Sequence, residues 1–88
     1  MSYEVSVVRC DSYARATIRA AVEDCLKPAG SLRDVVGKGS RVLIKPNLLA
    51  AKRPEQAVTT HPALVEAVVR MVQEAGGVPI VGDSPGGR

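Results

Sequence analysis

Three short stretches of this sequence carry its candidate chemistry. They are Lys45-Pro46-Asn47, Thr59-Thr60-His61 and Gly82-Asp83-Ser84-Pro85-Gly86-Gly87. Lysine brings a positive charge suited to an anionic ligand. Threonine hydroxyls donate hydrogen bonds, and N–H groups at a helix start or in a glycine-rich turn can receive phosphate or carboxylate. His61 and Asp83 are the groups able to move a proton. Each residue also has a plain role. Lys45 can be a solvent-facing charge, Asn47 a turn former and Thr60 a helix cap. His61 can be no more than the residue before a proline, and Gly86-Gly87 simple loop punctuation.

The same residues exclude several reactions. Gly82-Asp83-Ser84-Pro85-Gly86 fits the Gly-x-Ser-x-Gly nucleophile turn of α/β-hydrolases. In that turn the residue after the serine donates its N–H to the oxyanion, and Pro85 has none. The single histidine also comes before the serine, where that fold needs it later. A Gly-x-x-x-x-Gly-Lys-Ser/Thr run is missing, which removes support for nucleotide hydrolysis. One histidine and two separated cysteines do not make a zinc site. Asp83 with Asn47 is the one weak pairing for a hard cation such as magnesium.

These residues need a frame. Tyr3 to Arg9 alternates apolar and polar and reads as a half-buried strand. Asp11 or Ser12 can cap a helix that runs to about Leu26, where Pro28 and Gly30 stop it. Ala14, Ile18, Ala21, Val22 and Cys25 form its inner stripe, and Arg15, Arg19 and Glu23 form a solvated side. Ser31 to Val36 suits a short helical turn. Arg41 to Lys45 is a second, strongly apolar strand ended by Pro46, and Asn47 to Thr60 is a long connection. Pro62 fits the first turn of another helix, closed by Gly76-Gly77. Val78 to Gly82 is the third strand.

The reading is therefore α/β: a three-stranded parallel sheet from two consecutive βαβ units, in order 1-2-3, a Rossmann-like half-domain over residues 1–88. Three loops, Cys10-Asp11-Ser12, Lys45-Pro46-Asn47 and Asp83 to Gly87, then leave the carboxyl ends of the strands, where open parallel sheets bind ligands, and Thr59-Thr60-His61 starts on the same side. Both helices fall on one face, so a second copy or the remainder of its own chain is expected to cover the other.

Composition narrows the class. Twelve Lys and Arg against nine Asp and Glu give +3, short of a nucleic-acid-binding face. There is no Phe or Trp and there are two Tyr, so stacking on bases is nearly excluded, and 14 valines imply an aliphatic core. Two separated cysteines fit free thiols in a reducing compartment. Neither a signal peptide nor a membrane span is legible, and the expected location is cytoplasmic, with no nucleic acid and no membrane partner.

Ile44-Lys45-Pro46-Asn47, Thr59-Thr60-His61-Pro62 and Gly82-Asp83-Ser84-Pro85-Gly86 resemble, in that order, the amino-terminal signature of the family called domain of unknown function three-six-two. The likeness runs from about Gly37 to Gly87. It implies that the strand-end residues Lys45, Asn47, Thr59, Thr60, His61, Asp83, Ser84, Gly86 and Gly87 form a shared ligand site. It brings no settled reaction. Many members carry a ferredoxin-like module holding four-iron four-sulfur clusters. This chain has no Cys-x-x-Cys-x-x-Cys run, so no cofactor is assigned to it and any cluster belongs to a complete protein of which this is the amino-terminal part. The expected function is binding of an anionic small molecule within an iron–sulfur-associated, redox-linked protein. The rival is a non-catalytic interaction or oligomerisation module that docks through its bare sheet face.

Overall fold

A computed structural model describes residues 4–47 and 60–82. Two apolar tetrapeptides make its sheet. β1 (Arg41–Ile44) and β2 (Val78–Val81) run parallel, with Arg41 opposite Val78, Val42 opposite Pro79, Leu43 opposite Ile80 and Ile44 opposite Val81. Pro79 has no N–H for a ladder, and a two-stranded sheet suits it because each strand is an edge. Backbone bonds from Val78 N–H to Ser40 O (2.6 Å) and from Gly82 N–H to Ile44 O (3.1 Å) extend the pairing at both ends.

Helices α1 (Arg15–Leu26), α2 (Leu32–Val35) and α3 (Pro62–Glu74) complete the architecture. α1 starts later than its sequence signals imply. Ser12 Oγ accepts the Ala14 N–H at 2.9 Å, and the helix begins one residue on. It ends in a 3₁₀ turn over Lys27–Ala29, as Pro28 requires. α3 starts with Pro62, whose missing N–H does no harm in a first turn. Its exit is a Schellman closure: Gly76 N–H bonds Gln73 O, and Gly77 N–H bonds Val72 O, both at 3.0 Å. Gly76 sits at φ 93°, which an L side chain resists.

Ile18 of α1, Met71 and Val72 of α3, and Val36 after α2 are the buried core. α3 packs on both strands and α1 packs on α3. On the sheet, Val42, Ile44 and Pro79 are half-buried. Leu43, Val78 and Ile80 point the other way and are 59%, 50% and 39% exposed.

The first strand expected from sequence does not form. Residues 4–14 carry no regular structure, and among the described residues the sheet has two strands. There is thus one βαβ unit, β1–α3–β2, with α1 and α2 beside it. The three-stranded, doubly built Rossmann-like half-domain and its order 1-2-3 are overturned, though the chain remains α/β in the general sense. The alternation of Tyr3 to Arg9 is real but defines two faces without naming a partner. Val5 and Val7 are 86% and 91% exposed. Val8 lines a recess with Ile18, Ala21, Val22 and Cys25, and Glu4 and Ser6 share another with Cys25 and Pro28. The segment lies along the stripe of α1 and adds nothing to the sheet.

The polar side of α1 is solvated, as expected, but it is also paired. It meets the polar side of α3. Arg19 donates from Nη1 and Nη2 to the two oxygens of Glu74, at 2.7 and 2.6 Å, and from Nε to Glu23 at 2.8 Å. The hydrogen bond from Arg19 holds the Glu74 carboxyl below the usual glutamate range. A carboxylate depressed in the fold stabilises it above the unfolded value (about 4.3), and that help vanishes as pH falls through the folded value. Glu74→Gln should therefore melt a few degrees lower than wild type at pH 7, the gap closing in acid. Thermal unfolding from pH 7 to 3 checks this; a gap constant across the range would contradict it.

Candidate functional site

The rim at the carboxyl ends of β1 and β2 gathers part of the expected constellation. Pro46 ends β1 and is buried, which fixes where the chain leaves the sheet. Asn47 follows, clasped to Thr60. The Asn47 N–H donates to Thr60 Oγ1 at 2.8 Å, and the Thr60 N–H donates to Asn47 O at 3.0 Å. Two residues thirteen positions apart are thus held together at the entrance of α3. The Gly82–Ile44 bond brings the start of the glycine-rich stretch beside Lys45, which is exposed.

His61 is the N-cap of α3. Its Nδ1 accepts the Ala63 N–H at 3.0 Å, so the imidazole carries its hydrogen on Nε2. Its carbonyl accepts from Leu64 at 3.0 Å and Val65 at 3.3 Å. With Pro62 lacking an N–H, the first amides of α3 are already satisfied within the helix start. They are not the anion receptor expected from sequence. Among the described residues, the side-chain donors near the rim are the Lys45 ammonium, the Asn47 carboxamide, the Thr60 hydroxyl and His61 Nε2–H. Such a set suits binding of an anion and contains no activated nucleophile.

The structure thus brings Asn47, Thr60 and His61 into one cluster, with Lys45 next to it in the chain. Thr59, Asp83, Ser84, Gly86 and Gly87 lie outside the described residues, as does the pairing of Asp83 with Asn47. Sequence reasoning missed Tyr13. Its ring stacks on His61, centroids 3.7 Å apart and planes 13° from parallel, and so fixes the imidazole from the α1 side. No spacing rule links residues 13 and 61; the scarcity of aromatics was the one available hint. Among the described residues, no group of three or more His, Cys, Asp or Glu can hold a metal ion, and no helix is long and apolar enough to cross a membrane.

Comparison with known proteins agrees with the motif order. The family model described as "Domain of unknown function (DUF362)" matches residues 42–88. A thylakoid-associated protein of Synechocystis sp. is 45% identical over 85 residues, covering 97% of this chain and 26% of that protein. The chain therefore spans about a quarter of this relative's length. No solved structure matches.

Proposed function

This chain belongs to the DUF362 family, and from that premise we propose that it is an anion-binding α/β segment whose ligand sits on the strand-end rim. The observation that carries the reading is the Asn47–Thr60 clasp, which joins the end of β1 to the start of α3. It sets the Thr60 hydroxyl and the His61 ring next to the strand that delivers Lys45. Lys45 supplies charge, Asn47, Thr60 and His61 Nε2 supply directional hydrogen bonds, and Thr59, Asp83, Ser84 and the Gly86-Gly87 backbone complete the receptor. The ligand is a small molecule bearing phosphate or carboxylate. Any proton transfer falls to His61 or Asp83, and any reaction belongs to the whole protein. That protein is read as cytoplasmic and redox-linked, with any four-iron four-sulfur cluster held outside these residues. Cys10 and Cys25, both free thiols, fit a reducing compartment.

Inorganic phosphate tests the rim. A ligand that binds only the folded state stabilises it, by about 2.7 kcal/mol at a hundred times its dissociation constant. Phosphate should raise the melting temperature of the wild type, and Lys45→Ala should remove that increment with little change in the ligand-free value. Equal increments in both proteins would mean a general salt effect and no role for Lys45.

The exposed Leu43, Val78 and Ile80 favour one second reading, a docking module that uses the outer sheet face. A melting temperature that climbs with protein concentration while ignoring phosphate would select it.

A further inference from the structure

A cleft of about 380 Å³ lies between α1 and α3, on the helical side of the molecule. Ala16 of α1 and Ala63 and Ala67 of α3 line it, leaving a shelf with no side chain large enough to fill the seam. Ala16 is exposed and the other two are half-buried. Tyr13, itself 59% exposed, also lines the cleft. The volume lies within the range of small-molecule sites (roughly 300–1,000 Å³).

Its charges are unevenly spread. Arg19 faces two carboxylates, Glu23 and Glu74, so the negative excess lies at its end. Arg15 and Arg70 share a single carboxylate, each giving one nitrogen to the same Glu66 Oε1 at 3.0 Å. Two guanidiniums against one carboxylate leave one positive charge, together with several N–H donors, at an apolar shelf. Guanidinium forks match carboxylates in plane and in spacing. A flat ring suits the other surfaces, since Tyr13 already takes part in one ring stack and the alanines offer no bulk.

We propose that this cleft is a second site, which binds a small aromatic carboxylate. The ring lies on Ala16, Ala63 and Ala67 beside Tyr13, and the carboxylate faces Arg15 and Arg70. The site shares the Tyr13–His61 stack with the strand-end rim but takes nothing from Lys45.

The probe is 1-naphthoate, titrated against the chain while the methyl resonances of Ala16, Ala63 and Ala67 are followed. Saturable shifts in those methyls are expected, with binding about tenfold or more weaker in the double variant Arg15→Gln/Arg70→Gln, because charge-assisted hydrogen bonds are lost. Ala67→Leu should block the shelf, and the cationic 1-naphthylmethylamine should bind far more weakly than the carboxylate. Lys45→Ala should leave naphthoate binding unchanged, which separates this site from the phosphate-binding rim. Equal affinity for the amine, or full binding by the arginine double variant, would overturn the site. So would loss of binding in Lys45→Ala alone.

Discussion

Ile18→Ala should lower stability by about 2–5 kcal/mol, the range for truncating a well-packed isoleucine. Ile18 is 3% exposed and is the buried residue that α1 gives to the core. Among the described residues, the core side chains Ile18, Val36, Met71 and Val72 come one from α1, one from the segment after α2, and two from α3. Truncation at 18 thus opens a cavity that the other three cannot fill without moving α1 across α3. A small domain holds roughly 0.05–0.15 kcal/mol per residue, so the loss is a large share of the total. Ile18→Val, which removes one methyl group, should cost about 0.5–1.5 kcal/mol. Urea unfolding with a shared m-value measures both. A cost for the alanine variant as small as that for valine would mean that α1 is loosely docked and that its core role here is misjudged.

Gly77→Ala should be as harmful for the opposite reason. Its backbone φ is not positive, so conformational freedom is not what requires glycine there. Space is. A methyl group on Gly77 would stand 2.7 Å from Val36 Cγ1, 3.0 Å from Val72 Cγ1 and 3.2 Å from the Ser40 carbonyl oxygen. Val36 and Val72 belong to the core, and Ser40 O accepts the Val78 N–H that opens the β1–β2 pairing. Relief therefore has to come from the core or from the sheet. Overpacking of this kind costs about 1–3 kcal/mol and occasionally more. Gly82→Ala is the control, because among the described residues nothing lies within 4 Å of its added methyl. Comparable melting temperatures for the two variants would show that the close packing around Gly77 relaxes freely.

Surface ion pairs contribute little of this stability. The ion pairs Arg9–Asp11, Lys27–Asp24 and Arg70–Glu66 are all solvent-exposed, and such pairs contribute about 0–1 kcal/mol each. Their effect is to orient side chains. Arg19 is the clearest case: by holding Glu23 and Glu74 together it joins α1 to α3, next to the cleft where Arg15 and Arg70 compete for Glu66.

What the amino-acid sequence determined by itself is local. Apolar spacing placed α1 and α3, and Pro28, Pro62 and Gly76-Gly77 set their ends within a few residues, because these residues act on their own backbone. The Val-Leu-Ile and Val-Pro-Ile-Val runs marked both strands that form. The order of the Lys45, Thr60 and Gly82 stretches identified the family. Partner choice was decided by the tertiary structure alone. A period of two at Tyr3 to Arg9 says that two faces exist, and packing against the stripe of α1 took Val8 away from any sheet. Helical spacing put Arg15 and Arg19 opposite the inner stripe without revealing that Glu66 and Glu74 would stand across from them. His61 shows the same division. Its place before Pro62 was visible, but its Nδ1 bond to Ala63 and its stack on Tyr13 arise only once α1 and α3 lie side by side, since contacts between residues far apart in the chain are fixed by the packing of whole elements.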